Sequence, residues 1–291
     1  SGMLDVAEET GDPETRRFRL PPGGAEVLCD GESLFHVTPL ASMAVGVVGT
    51  LDAVAEAFRT GGKVPFESYG SAMRDGIARM NRPMFDHLLA SEWVPALPDI
   101  DARLRAASPP AHVADLGCGG GASSVALARG YPHARVDGID LDEESVAAAR
   151  RAAAAAGVSD RVTFAVRDAA DPALRGRYDL VTLFETLHDM AHPVAALRAA
   201  RGLLADGGAV LVGDQRVADR FTAPGDDLER FNYGWSATHC LAAAWGEPDS
   251  AGTGTVLRAD TVRRYAGEAG FSRTTVLPIE NDFWRFYRLD P

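Results

Sequence analysis

Cysteine is scarce in this 291-residue chain: Cys29, Cys118 and Cys240 lie far apart and show no C-x-x-C spacing. They are too few for a disulfide framework, which points to a reducing, cytoplasmic setting. Positive charge is also in deficit. Lys and Arg number 29 against 41 Asp and Glu, a net charge of −12, and that field opposes sequence-independent binding to a phosphate backbone, so no nucleic-acid partner is expected. Long apolar runs are missing too. The most hydrophobic stretch near the start, Ala41 to Leu51, is short and broken by glycines, so neither a membrane partner nor a targeting segment is expected. Ser1-Gly2 before Met3 reads as a tag remnant. What the chain does have is 46% hydrophobic residues, enough for a soluble protein with a sizeable core in one or two domains.

Three regions follow. Residues 1–37 read as a hairpin and a loop: a short strand from Leu4, the turn Gly11-Asp12-Pro13-Glu14, the strand Arg17 to Leu20, then Pro21-Pro22-Gly23-Gly24. Residues 38–98 carry apolar side chains at helical spacing, as in Met73, Ile77, Met80, Met84 and Leu88, with Pro83 marking a helix start or kink. Residues 99–291 alternate short β-branched runs with alanine-rich runs: strands His112 to Leu116, Arg135 to Leu141, Arg161 to Val166, Tyr178 to Phe184 and Ala209 to Gly213. Helices are expected over Glu143 to Ala156, capped by Asp142 and stopped at Gly157, and over Ala191 to Leu204. Arg273 to Ile279 and Phe283 to Leu289 suit an antiparallel edge pair. The fold class expected is α/β: a Rossmann-like doubly wound sheet, mostly parallel with an antiparallel last strand, plus an N-terminal helical cap and hairpin and an insertion at about 215–259.

The strongest motif is a strand running into a glycine turn that opens a helix, Val113-Ala-Asp-Leu-Gly-Cys-Gly-Gly-Gly-Ala-Ser-Ser124. Gly117, Gly119 and Ala122 fit the dinucleotide pattern G-x-G-x-x-A, which keeps an NAD-dependent dehydrogenase as an alternative. Asp140 follows about 20 residues on, at the end of the next strand, where an acid accepts bonds from both ribose hydroxyls. Two further acids close successive strands, Asp115 and Asp168. A pyrophosphate would be repelled by Asp115, whereas an ammonium beside a sulfonium would be attracted, so the ligand should be a cationic adenosine compound. These residues resemble class I S-adenosylmethionine methyltransferases, whose first motif is similar to Asp115-Leu-Gly-Cys-Gly-Gly-Gly121, and the resemblance covers about Val113 to Gly213. It implies that Gly117 and Gly119 contact the methionine portion, Asp140 the ribose and Asp168 the adenine amino group. Leu141 and Ala169 would flank the adenine.

After the fourth strand of that domain comes Phe184-Glu-Thr-Leu-His-Asp-Met-Ala-His-Pro193, beyond the carboxyl end where an open α/β sheet seats its substrate. Phe184 through Leu187 should pass the methyl-donor sulfur, and His188 is suited to take a proton from a phenol, enol or hydroxyl. The run resembles the His-Asp segment of small-molecule O-methyltransferases of specialised metabolism, which implies His188 as general base. Downstream, Phe231-Asn-Tyr-Gly-Trp-Ser-Ala-Thr-His239 together with His188-Asp189 resembles the iron-dependent α-keto acid C-methyltransferases. That resemblance implies a facial iron site of His188, Asp189 and His239, provided a turn brings the adjacent His188 and Asp189 together. Without a metal, Asp189 orients a neighbour and His239 closes the acceptor pocket; Cys240 is expected to pack.

The segment from Glu67 to Trp93 should cover the acceptor, with Tyr69, Met73, Met80, Met84, Phe85 and Trp93 available as lining or core. Arg74, Arg79 and Arg82 could hold a substrate carboxylate, Arg79 being favoured by the keto-acid resemblance. The hairpin Val6 to Leu20 resembles the wing of the winged-helix domain through which many small-molecule methyltransferases dimerise. It implies a possible homodimer and a second class of function, a non-catalytic S-adenosylmethionine-responsive regulator, against which the acidic charge and absent recognition helix stand.

Overall fold

The computed structural model describes residues 3–8 and 10–291; Ser1 and Gly2, read from the sequence as a tag remnant, lie outside them. Strands β1 (Asp5–Glu8) and β2 (Arg17–Arg19) form the antiparallel hairpin expected near the start. The stretch read as loop after it contains a short helix, α1 (Gly24–Leu28). Helix α2 (Pro39–Thr60) then runs 22 residues, long and apolar enough on length and composition to cross a membrane. This corrects the reading of that stretch as short. Gly46 does not break the helix because it is a packing position: a Cβ there would meet the Tyr69 carbonyl at 2.8 Å. It lets α2 press Met43, Thr50 and Val54 into the cap core beside Met73, while Val45, Val48 and Phe58 stay exposed.

Helix α3 (Gly70–Met84) continues without a break into wide π turns over Phe85–Trp93. Pro83 therefore neither starts nor ends a helix; it sits two residues before the widening, the kind of ladder disruption that a residue without an N–H brings. Helix α4 (Pro98–Arg105) leads into the sheet domain. There the chain alternates β3 (His112–Leu116), α5 (Ala122–Gly130), β4 (Arg135–Asp140), α6 (Glu143–Ala155), β5 (Val162–Val166), β6 (Tyr178–Phe184), α7 (Pro193–Leu203) and β7 (Leu204–Gln215). Helices α8 (Asp227–Trp235), α9 (Leu241–Ala244) and α10 (Ala259–Ala269) follow, then β8 (Arg273–Val276) and β9 (Trp284–Asp290). Asp142 caps α6 by accepting from the Ser145 N–H at 2.8 Å, as its position implied. Strand β7 is longer than the run Ala209 to Gly213 because Leu204 already pairs with Tyr178.

The seven strands lie in the order β5-β4-β3-β6-β7-β9-β8. All pairings are parallel except those of β9, which runs against both neighbours. This is the expected doubly wound sheet with a reversed last strand. Alternation splits the core cleanly: Val113, Leu180 and Leu211 face α5, α6 and the π turns, whereas Ala114, Val181, Leu183 and Val210 face α7 and α10. Connections run outward from β3 toward β5 and from β6 toward β8, so β3 and β6 flank the switch point, and the cleft beyond their carboxyl ends is where such a sheet binds ligands.

An aromatic cluster supports the floor of that cleft. Trp93, fully buried, has Phe85, Phe184, Trp284 and Phe286 within 4.6–6.0 Å between ring centroids. Replacing Trp93 by Ala should lower the unfolding free energy by about 3–5 kcal/mol, because the surrounding helices and sheet cannot collapse into the space. Urea denaturation checks this, and a loss under about 1 kcal/mol would show that the cluster is not the support described.

Candidate active site

The glycine turn is built on a buried carboxylate. Asp115, 1% exposed, accepts hydrogen bonds from Ser123 Oγ and Ser124 Oγ at 2.6 Å each and from Thr182 Oγ1 at 2.7 Å. Those hydroxyls belong to the first turn of α5 and to β6, so one side chain fastens strand, helix and neighbouring strand together. Burial raises its carboxyl pKa and the three donors oppose that shift. The structure thus corrects the expectation that Asp115 faces the ligand: it sits behind the turn and is absent from the cavity wall. Gly117 has φ 70°, and a Cβ there would sit 2.1 Å from Thr186 Oγ1. Only glycine lets the turn press against the loop that follows β6.

The other donor-side residues come together around one cavity of about 930 Å³, walled by Gly117, Gly119, Asp140, Leu141, Asp168, Ala169 and Phe184. Asp140 takes the Gly119 N–H on Oδ2 at 2.8 Å and the Asp142 N–H on Oδ1 at 2.9 Å. Each oxygen keeps a lone pair for a ligand hydroxyl, and burial raises the carboxyl pKa above its ordinary value. Asp168 stands exposed at the rim, accepting the Ala170 N–H at 2.8 Å, with Leu141 72% exposed across the opening. An apolar platform and two carboxylates at this spacing suit an adenosine moiety.

Opposite them the cap contributes Phe66, Ile77, Ala78, Asn81 and Phe85. Of the six residues proposed as lining, Phe85 lines the cavity, Tyr69, Met73 and Trp93 are plain core, and Met80 and Met84 pack elsewhere. The three arginines are not free for a substrate carboxylate there. Arg74 reaches the wall but makes a bidentate pair with Asp142 at 2.7 and 2.8 Å and a bridge to Glu144; Arg82 pairs with Glu32, and Arg79 is exposed away from the cavity.

The acceptor loop makes the turn that His188-Asp189 needed, a 3-10 turn over Leu187–Asp189. His188 is 2% exposed, with Nδ1 2.7 Å from Asp214 Oδ1 and Nε2 3.1 Å from Asp189 Oδ1. Both ring nitrogens therefore face carboxylates and the ring is absent from the cavity wall, which corrects the expectation of a free imidazole aimed at the acceptor. Burial alone would depress the His188 pKa, but Asp189 and Asp214 outweigh it and hold the ring cationic well above its ordinary value. Burial pushes the Asp189 carboxyl the other way, yet the His188 charge prevails and holds it down at about 2; Asp189 does line the cavity.

His239 lies on π turns Ser236–Cys240, edge-on to Tyr69 and Phe66, with Nδ1 3.3 Å from Cys240 Sγ and Nε2 buried without a partner. Burial depresses its pKa. Among the described residues, the set whose ligand atoms converge within 4.8 Å is His188, Asp189 and Cys240. This corrects two expectations: Cys240, assigned to packing, joins the group, and His239 stands beside it. Glu185, which drew no attention in the sequence, also lines the cavity; no spacing pattern marks a lone acid after a strand.

Known proteins give this geometry a context. A family model described as a methyltransferase domain matches residues 108–255. A ubiquinone biosynthesis O-methyltransferase from Xanthomonas campestris is 39% identical over 110 residues, 37% of this chain and 44% of that protein. A tRNA1(Val) (adenine(37)-N6)-methyltransferase from Porphyromonas gingivalis is 35% identical over 117 residues, 38% of this chain and 40% of that one. The chain thus spans under half the length of these relatives. In fold it is similar to human N-acetylserotonin methyltransferase solved with SAM (TM-score 0.69, 17% identity, 99% of this chain and 79% of that one) and to an O-methyltransferase family protein from Burkholderia thailandensis (TM-score 0.68, 17% identity, 99% and 80%).

The two histidines should carry different charges at neutral pH. Ring ¹⁵N shifts at pH 7.5 are expected to show His188 doubly protonated and His239 neutral. Because the folded-state pKa of His188 is raised, its contribution to stability is complete below about pH 6.5, the ordinary histidine value, and is lost as pH rises through the folded value. His188→Gln should remove that alkaline loss; a neutral His188 at pH 7.5 would contradict the carboxylate clamp.

Proposed function

Because the chain belongs to the methyltransferase-domain family, we propose that it transfers the methyl group of S-adenosylmethionine to a small-molecule acceptor. The observation that carries this reading is the single cavity in which the glycine turn and Asp140 form one end and the Phe184–Asp189 loop and the cap form the other. At about 930 Å³ it lies near the upper end of small-ligand pockets, room for a nucleoside donor and a modest acceptor together. Asp140 would accept from the ribose hydroxyls, Asp168 from the adenine amino group, and Leu141 and Ala169 would flank the base. The donor brings an electrophilic sulfonium methyl; the chain's work is to hold the acceptor in line and keep water out, which the apolar cap residues Phe66, Ile77 and Phe85 favour.

On the acceptor side the geometry supports metal-free transfer to oxygen better than a free histidine base. His188, clamped between Asp189 and Asp214, positions Asp189 at the cavity wall. The acidic net charge and the concave site favour a free small molecule, such as a specialised metabolite, over nucleic acid or membrane, in a cytoplasmic enzyme whose exposed α2 face suits a second copy of the chain.

One observation favours a second reading, iron-dependent C-methylation of an α-keto acid. His188, Asp189 and Cys240 each offer a ligand atom within 4.8 Å of the others, and with Nδ1 of His188 on Asp214 and Nε2 facing Asp189, Asp214 is the carboxylate partner that metal-bound histidines commonly have. These residues fit a divalent cation, with His239 Nε2 buried nearby and unpartnered. Bound there, iron would acidify the C–H next to the ketone, at C3 of a chelated α-keto acid. None of Arg74, Arg79 and Arg82 offers the cavity an unpaired guanidinium for the substrate carboxylate, which weighs against this reading.

Calorimetry with S-adenosylhomocysteine should show binding, and Asp140→Ala should weaken it by about 1.5–3 kcal/mol for each charge-assisted bond lost. NAD binding without S-adenosylhomocysteine binding would instead select a dehydrogenase; binding without any methyl transfer would select a regulator. Transfer that persists in a strong chelator, with no metal on elemental analysis, is the outcome expected for the oxygen reading. Stoichiometric iron, lost together with activity, would replace it by the carbon reading.

A further inference from the structure

Glu185 is held in a way that packing alone does not explain. It follows the last residue of β6 with φ 53°, a left-handed conformation that costs a non-glycine residue about 1–2 kcal/mol. The turn carries its side chain to the cavity wall, at the same mouth as Gly117 and Phe184. Two amides then hold it, one from each side of the cleft: Asn81 Nδ2 of cap helix α3 donates to Oε2, and Gln215 Nε2 at the end of β7 donates to Oε1. No Lys or Arg makes an ion pair with it among the described residues. The charged groups that bear on it are the His188 imidazolium, which favours its ionised form, and Asp214 and Asp189, which oppose it. Burial is the largest influence, and the carboxyl is pushed up to about 7.

The other acceptor-side groups fit the same task poorly. The His188 ring nitrogens both face carboxylates, and Asp189, held at about 2, is too weak a base. Glu185 has two anchored oxygens, each with lone-pair capacity to spare, and a strained backbone of the kind that collects at functional sites.

Resting on the methyl-transfer reading above, we propose that Glu185 is the general base of the reaction, contacting the acceptor hydroxyl directly, and that the acceptor is an acidic hydroxyl compound, a phenol or a stabilised enol. As the acceptor oxygen attacks the sulfonium methyl, its O–H bond breaks and the proton passes to the Glu185 carboxylate. The O–CH₃ bond forms, and the C–S bond breaks with its electron pair going to sulfur. The products are the methyl ether and S-adenosylhomocysteine, and Glu185 then releases its proton to solvent. A base that titrates near neutrality matches acidic hydroxyls and not simple alcohols. Asn81 is a positioning residue: it ties the base to the cap, so that the carboxylate is set when the cap is seated.

The test uses the full chain with methyl-tritiated S-adenosylmethionine and a panel of substituted phenols and cyclic 1,3-diketones. Wild type should methylate members of the panel, with kcat/KM rising to a plateau through about pH 7. Glu185→Gln should lower kcat by about 10²–10⁴, flatten that limb, leave S-adenosylhomocysteine affinity unchanged, and lose least on the most acidic phenols. Glu185→Asp should restore part of the rate together with the limb. Turnover by Glu185→Gln close to wild type with the limb intact would overturn the proposal, as would wild type that binds S-adenosylhomocysteine yet methylates nothing in the panel. Should Glu185→Gln fail to fold, wild type decides alone: no ionisation near pH 7 in kcat/KM, or rates independent of phenol acidity, would also overturn it. Failure of wild type to bind S-adenosylhomocysteine would instead overturn the methyl-transfer reading itself.

Discussion

The buried Asp115 carboxylate is the constraint on which the site depends. Its three hydroxyl donors come from α5 and from β6, 67 residues away in the case of Thr182. A buried charge is tolerated only when its lone pairs are filled, so the start of α5 and the middle of β6 must stay in register with the end of β3. That register fixes the distance between the glycine turn and the loop after β6, and Gly117 packs directly on Thr186 as a result. The donor end and the acceptor end of the cavity are thereby two sides of one contact at the switch point of the sheet.

Two of the polar ties between the cap and this frame lie at the cavity. Arg74 of α3 pairs with Asp142, the residue that also caps α6 and whose N–H is taken by Asp140. Asn81, two helical turns further on, reaches Glu185. One tie ends beside the donor wall and the other beside the acceptor wall, while Tyr69 bonds the Thr238 carbonyl at 3.0 Å and holds the cap to the segment carrying His239 and Cys240. Movement of α3 therefore reaches both halves of the site through named hydrogen bonds.

Much of the fold was legible because the central strands β3, β6 and β7 are buried on both faces and read as apolar runs, as in Tyr178 to Phe184, while Asp142 and Gly157 punctuate α6 by local chemistry. Asp140 was legible for the same reason: its distance from Gly119 along one βαβ unit fixes its place. What the sequence hid depends on long-range convergence. Nothing local shows that Ser123, Ser124 and Thr182 would consume the Asp115 charge, or that Asp214, 26 residues beyond His188, would occupy Nδ1. The left-handed turn at Glu185 has no residue signature, since glutamate rarely adopts it. The π turns through Ser236–Cys240 escaped because a wide helical turn leaves no periodic mark over five residues; they are what bring Cys240 instead of His239 toward His188 and Asp189.

The most direct measurement is a crystal structure of the chain with S-adenosylhomocysteine and a bound phenol. The account expects the ribose hydroxyls on Asp140, the sulfur at the Gly117–Phe184 mouth, and the phenol oxygen within about 3 Å of a Glu185 oxygen, the reach of a general base. S-adenosylhomocysteine bound outside this cavity, or seated with its sulfur turned away from Glu185, would contradict it.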